Sequence, residues 1–514
     1  MDITPFRRVL LWLFALLVAA PMWQLTTPRI SAQSSASVAL PKAWTDQELG
    51  DWATPLVGLG ARPGFYSEEE FKKIPTQVLY RTYPAYHPDR EPAGYWDWLQ
   101  KQQPKPLLDP STLHSEKDWL HAGQIVFREL YQPLPPQANQ SLRDLIPLLR
   151  SREALTRAEI KTLPDGTLPL LWVVTPDGVL PAAKTCQSCH TRYLPDGAII
   201  DGAASNHQAG GLVRLRNSIQ GPFGQYSQSD ISVIREEAYR REGVPWILND
   251  VHAALQSMTR ADLEEYFSVE ERTDSQIMPR GGSSLFPTKV LDLNGVRDRK
   301  YLNHTATHVN RGVADIMRYA WTVECCNSGR FGSYQFGPEL PRSRPSDEVV
   351  FALATYIYSL EAPPSPFRND PLTGDGRRIF DREGCAVCHT PPLYTNNKLT
   401  LAKGFTPPLD HPYRRDIMPI SVGTEPGRAM QTRVGTGLYK IPSLRGVWYR
   451  GLFGHSGDVT SLEDWFDAAR LRDDYVPSGW KGFKQTHRAI PGHEFGLRLP
   501  AAEKQALIAF LKTL

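Results

Sequence analysis

Two short stretches constrain the fold of this 514-residue chain more than any other feature: "KTCQSCHTRY" at 184–193 and "EGCAVCHTPP" at 383–392. Each sets two cysteines three positions apart with a histidine directly after the second. This is the spacing at which haem c is attached: the thiols add to the vinyl groups, and the adjacent imidazole is held beneath the iron. Cys186 and Cys189 are thus expected to carry one haem with His190 as its iron ligand, and Cys385 and Cys388 a second with His389. The expected cofactors are two covalently bound haem c groups, and the chain must fold around them. Two thioredoxin-like dithiols would need a strand-to-helix context and would leave both histidines unexplained. The second copy follows a helix-like "GDGRRIFDREG" instead.

The N-terminus reads as an address. Arg7 and Arg8 precede an apolar run from Val9 to Ala20, which is short for a membrane span and suits a secretory signal. Ile30 and Ala32 in "RISAQ" offer a cleavage site after Ala32, with an uncleaved anchor as the alternative. Either way the expected location is the bacterial periplasm or the secreted fraction, with membrane contact only through an uncleaved segment. Of six cysteines, four are taken by the motifs, and Cys325 and Cys326 remain side by side in "WTVECCNSG". They form either a strained ring or two buried thiols. With a net charge of +3 and no basic block, nucleic acid is not an expected partner.

The expected fold class is mainly α and loop-rich, two cytochrome c-like haem domains behind an N-terminal accessory layer. Forty-four prolines favour short helices and many loops. Residues 1–32 form the signal or anchor, and 33–150 an accessory region without a ligand pattern. Residues 151–366 form the first haem domain and 367–514 the second. An internal echo supports the last division: "PSDEVVFALATYIYSL" (345–360) and "PAAEKQALIAFLKTL" (500–514) each predict a helix that opens on Pro and closes a haem domain. "EAPPSPFRNDPLTGDG" reads as the linker between them. Ahead of the first motif, "LPLLWVVTPDGVLPAAK" predicts a hairpin about a Pro-Asp-Gly turn, so the first domain is a modified version of the second.

The stretch "YKIPSLRGVWYRGLFGHSGDVTSLEDWFD" (439–467), after a C-x-x-C-H motif and before a terminal helix, resembles the C-terminal haem domain of the di-haem cytochrome c peroxidase and MauG superfamily. Ser456 stands where the common form has Asp. The wide spacing of the motifs and the late "PGHEFG" are most similar in layout to the di-haem rubber oxygenase branch. The resemblance covers residues 370–514 well, the first haem domain loosely, and 33–150 not at all. It implies that the first haem is the reactive one and the second an electron-transfer site. It also implies a place for Arg445 near haem propionates and an inter-haem tryptophan relay, for which Trp321 is the candidate and core packing the alternative.

The sixth ligand of the second iron lies among Met418, Met430, His455 and His493. The resemblance favours His493, in a turn directly ahead of the closing helix. For the first iron the candidates are His207, His304 and His308, or no protein ligand, with His308 as the distal-pocket choice. The expected function is heme binding with electron transfer, in a peroxidase or MauG-like oxidoreductase. It would act on peroxide or oxygen and draw on a periplasmic electron donor or protein substrate. The accessory layer and the longer stretch between first motif and closing helix favour an enzyme, because a carrier needs no such enclosure. The alternatives are a di-haem dioxygenase cleaving an apolar substrate and a non-enzymatic periplasmic electron carrier.

Overall fold

Four helices frame the two motifs, and they cross in two matching pairs. The computed structural model describes residues 38–131, 139–221, 223, 228–274, 276–278, 282–325 and 343–514. The expected signal or anchor and its cleavage position lie outside these residues, as do Cys326 and the Cys325 side chain. We number the framing helices α1 (Glu116–Glu129), α2 (Asp347–Ser359), α3 (Thr373–Arg382) and α4 (Ala501–Lys512).

Helix α1 begins on a capping box: the Ser115 hydroxyl accepts from the Asp118 amide at 3.2 Å, and the Asp118 carboxylate accepts from the Ser115 amide at 2.8 Å. Ser346 caps α2 by accepting from the Val349 amide. The closing helices α2 and α4 are apolar on most faces, burying Val349 to Ala354 in one and Ala506 to Leu511 in the other. An opening helix packs on each, α1 on α2 and α3 on α4.

The two crossings share one chemistry. Gly123 of α1 lies against the Ala352 carbonyl and the Tyr356 Cβ, and Gly376 of α3 lies against the Ala506 carbonyl and the Phe510 Cβ. Four residues on, Phe127 meets Tyr356 at 5.5 Å between ring centroids and Phe380 meets Phe510 at 5.3 Å. A glycine lets the backbones approach, and the aromatic pair one turn later fills the space where the helices diverge.

Helix α1 falls in the 33–150 region that sequence alone sets apart as accessory, yet it packs on the closing helix of the first haem region as α3 does on that of the second. Between α1 and its motif stand helices at Asn139–Leu149 and Arg152–Arg157 and the strands β2 (Thr167–Thr175) and β3 (Gly178–Ala182), which join the earlier β1 (Thr82–Tyr86) in an antiparallel sheet of order β1, β2, β3. The expected hairpin is β2 and β3, with Thr175 opposite Gly178 across a Pro176-Asp177 turn. Gly178 has a φ of +103°, which a side chain would resist. Strand β2 is buried along all but its last residue, and Leu168, Leu170, Trp172 and Val174 pack with Leu99, Leu149 and Leu155.

The remaining strands are short pairs, so the chain is mainly α with much irregular structure. Residues from Ala39 onward form one compact unit. Among the described residues, no helix is long and apolar enough to cross a membrane.

Candidate haem centre

The second motif is set at the end of α3. Gly384, at φ +75°, ends the helix, and Cys385–Val387 make a single tight turn. The His389 amide bonds back to the Cys385 carbonyl at 2.8 Å, which fixes the imidazole under the two thiols. Its Nδ1 lies 3.1 Å from the Pro442 carbonyl and 3.2 Å from that of Tyr394. Two carbonyls can only accept, so Nδ1 carries the proton and Nε2 keeps its lone pair, the tautomer that a metal ligand needs.

Facing it is His493, with ring centroids 6.3 Å apart. Two imidazoles that bind one metal ion from opposite sides, each at about 2 Å from nitrogen to metal, have centroids roughly 6 Å apart. Burial holds His493 down to about pKa 4 and lowers His389, so both rings are neutral and free to donate a lone pair. Cys385, Cys388, His389 and His493 all line one cavity of about 300 Å³. Burial pushes the Cys385 thiol up to about pKa 11, the reverse of the depressed value that a redox dithiol requires. Among the described residues no group of three or more His, Cys, Asp or Glu is arranged to hold a bare metal ion. His389 and His493 would hold a haem iron between them, with Cys385 and Cys388 as its attachment points.

The same cavity fits a macrocycle with carboxylates. Arg192, Lys289, Arg299, Lys440 and Arg450 line it, against the carboxylate of Asp292. Asp292 is already engaged, accepting from the Tyr449 hydroxyl at 2.6 Å and from Arg450 Nε at 3.3 Å. Burial drives the Lys289 amine down to about pKa 7 and Lys440 well below its usual value. Buried basic groups keep their charge only beside anions, which the carboxylates of haem would supply.

The first motif borders this cavity. Cys186–Cys189 form a short helical turn, the Gly202 amide donates to the His190 carbonyl at 2.7 Å, and the Ser205 amide to that of Cys189 at 3.0 Å. Arg192, Ala204 and Ser205, held beside the motif in this way, line the cavity that contains the second motif. Residues held beside the first motif thus line the cavity that contains the second.

Several candidates lie elsewhere. His308 does not reach the cavity: it is 0% exposed in the core, with its ring 4.2 Å from Trp52 and 5.5 Å from Tyr319. The strand pair Tyr301–Leu302 with His308–Val309 turns it inward, and His304, in the connecting turn, lines the cavity instead. His304 Nε2 is buried there without a hydrogen-bond partner, and His455 Nε2 likewise. Trp321 is 3% exposed within the π-helical run Tyr319–Cys325 and is not in the cavity wall. Arg445 is absent from the wall too, bound to Asp298 at 2.9 Å and to Glu361, while Arg450, five residues on, occupies the wall. Met418 sits by the second motif but beside the thiol, its Sδ 3.9 Å from Cys388 Sγ, and Met430 packs on Ala429 and Tyr439. His207 packs on Tyr193 outside the cavity. Sequence reasoning missed the cationic wall, since single lysines and arginines in loops carry no periodic signal.

The fold and this centre describe a mainly α, loop-rich protein with two C-x-x-C-H motifs, the second of them facing a buried histidine across a cavity. No family model matches the chain. No curated protein matches it either. Among solved structures it is similar to hydrazine synthase of Kuenenia stuttgartiensis, at 18% identity over 55% of this chain and 87% of that one, with a TM-score of 0.28. A MauG-like protein associated with microbial copper homeostasis shows 18% identity over 33% of this chain and 56% of that one, TM-score 0.22. A variant of the diheme peroxidase BthA from Burkholderia thailandensis shows 18% identity over 44% and 65%, TM-score 0.22. The chain thus spans less than two thirds of the last two.

Proposed function

We propose that the protein is an exported di-haem c-type oxidoreductase of the peroxidase or MauG-like kind. In this reading Cys385, Cys388, His389 and His493 hold an electron-transfer haem, and Cys186, Cys189 and His190 hold the haem at which peroxide reacts. The observation that carries it is the 6.3 Å separation of His389 and His493 in a cavity that takes in both thiols. Bound haem supplies an iron that takes up and gives up single electrons.

The residues do the rest. His389 donates its Nδ1 proton to a backbone carbonyl, which keeps its other nitrogen electron-rich. His493 covers the opposite side, so an incoming ligand is excluded there and must use the first site. Reduction of one peroxide to two waters consumes two protons and two electrons, the electrons coming from a periplasmic donor protein. The basic side chains of Lys289, Arg299, Lys440 and Arg450 in the wall would hold the haem carboxylates. Burial holds the His304 imidazole well below its usual range, so it stands in that wall as a neutral ring able to hold or pass a proton, and His455 lines the same wall.

EPR of the oxidised protein, with steady-state consumption of peroxide by a reduced donor, tests this. The expected result is one low-spin bis-His signal, one high-spin signal, and donor oxidation that depends on peroxide. Two low-spin signals without turnover would reduce the protein to an electron carrier. Oxygen uptake with cleavage of an apolar substrate would make it a dioxygenase.

A further inference from the structure

Arg470 is 0% exposed, and among the described residues no carboxylate lies within ion-pair distance of it. Its guanidinium is given entirely to backbone carbonyls. Nε donates to Trp465 at 2.9 Å, Nη2 to Gly492 and to His493 at 2.9 Å each, and Nη1 to Ile490. The Arg470 carbonyl in turn accepts from the Ile490 amide at 2.6 Å. A buried cation is expensive, and here its planar fork is matched to three carbonyls of one four-residue loop.

That loop needs holding. His493 has a φ of +47°, in the left-handed region that a residue with a Cβ avoids. Its amide donates to the Val422 carbonyl at 2.7 Å, and Gly492 lies flat against the Gly423 and Thr424 backbone, where a Cβ would overlap it. One side of the loop is thus strapped to residues 422–424 and the other to Arg470. The Arg470 guanidinium also stacks 4.7 Å over the Trp465 ring, itself 5.6 Å from the His493 ring. Trp465 packs in the cluster that contains Ile379, Phe380 and Cys385. Arg470 therefore ties the His493 loop to the core that carries the attachment motif.

We propose that Arg470 is a positioning residue for His493, holding the imidazole opposite His389 and so deciding how often the second iron becomes open to an outside ligand. This rests on the reading that His493 binds that iron, and the variants separate the two claims. In the oxidised holoprotein, cyanide binding to the second haem requires His493 to leave first, so its slow phase reports the release rate. Arg470→Met should speed that phase at least tenfold and convert part of the low-spin EPR signal to high-spin, with two covalent haems retained. Arg470→Lys, which keeps the charge but lacks the planar fork that reaches all four carbonyls, should fall between Met and wild type. Gly123→Ala, a destabilising change at the other crossing, where α1 packs on α2, should leave the phase unchanged, whereas a merely structural role for Arg470 predicts that both variants speed it alike. A wild-type rate and signal in Arg470→Met would overturn the proposal; where that variant fails to retain two haems, a wild-type rate in Arg470→Lys overturns it. His493→Gly should make the second haem fully high-spin, and a persistent low-spin signal there would instead overturn the ligand reading itself.

Discussion

Gly376 lies against the backbone carbonyl of Ala506, so close that a Cβ on the glycine would overlap the oxygen. The crossing of Gly123 on Ala352 repeats it, and Phe380 and Phe127 follow one turn later in each. The regions around the two motifs thus share a G-x-x-x-F helix set on a closing helix, although only the second keeps that helix adjacent to its motif. Gly376→Ala gains about 1 kcal/mol of helix propensity, but overpacking against a rigid carbonyl costs roughly 1–3 kcal/mol or more. Net destabilisation is therefore expected. A denaturant titration of the holoprotein that finds Gly376→Ala more stable than wild type would refute the crossing.

Attachment can be counted. The pyridine haemochrome of denatured protein should report two haems per chain, and Cys385→Ala/Cys388→Ala should report one, because the thioether bonds are the only links that survive denaturation. A double variant that still carries two, or a wild type with fewer, contradicts the assignment of the motifs.

Arg445 and Arg450 should behave unlike each other. Arg445 pairs with Asp298 and Glu361 in a half-exposed setting, so Arg445→Met should cost under about 1 kcal/mol per pair and leave both haem potentials unmoved. Arg450 faces the cavity, and its loss leaves the buried Asp292 short of a partner. Arg450→Met should cost about 3 kcal/mol and shift the midpoint potential of the second haem. Potentiometric titration of both variants decides it, and equal shifts would return Arg445 to the haem edge.

His308 sets an acid limit on stability. Burial holds its imidazole down to about pKa 3, with Asp315 opposing and Arg318 adding to the effect. The unfolded chain takes up that proton near pH 6.5, so stability is complete above that and falls as the pH drops toward 3. The slope is at most about 1.4 kcal/mol per pH unit. His308→Phe, which suits the Trp52 and Tyr319 surroundings, should flatten the difference in unfolding free energy between pH 6.5 and 4.5. It should leave both haem spectra unchanged. A changed spectrum would place His308 near an iron after all.

The amino-acid sequence by itself determined what is local. The C-x-x-C-H spacing needs no partner to be read, and the apolar pattern after an opening Pro marks the closing helices. The Pro-Asp-Gly turn between apolar runs marks the hairpin, because neighbouring residues share a strand or a turn of helix. Tertiary structure alone decided what depends on distant segments meeting. The late loop of His493 is visible in the sequence, but its distance from His389 is set by straps from Arg470 and from Val422, neither of which carries a signal of its own. Arg445 and Arg450 are alike in sequence, and only the position of Asp298 and Glu361 sends one outward and leaves the other in the wall. His304 and His308 differ by one turn of a short strand pair, which places one in the cavity and the other against Trp52. Helix α1 lies in the region that the sequence sets apart as accessory, and its kinship with α3 is hidden by the helices and strands between it and its motif, since packing against a partner, not adjacency to the motif, is what makes the two equivalent.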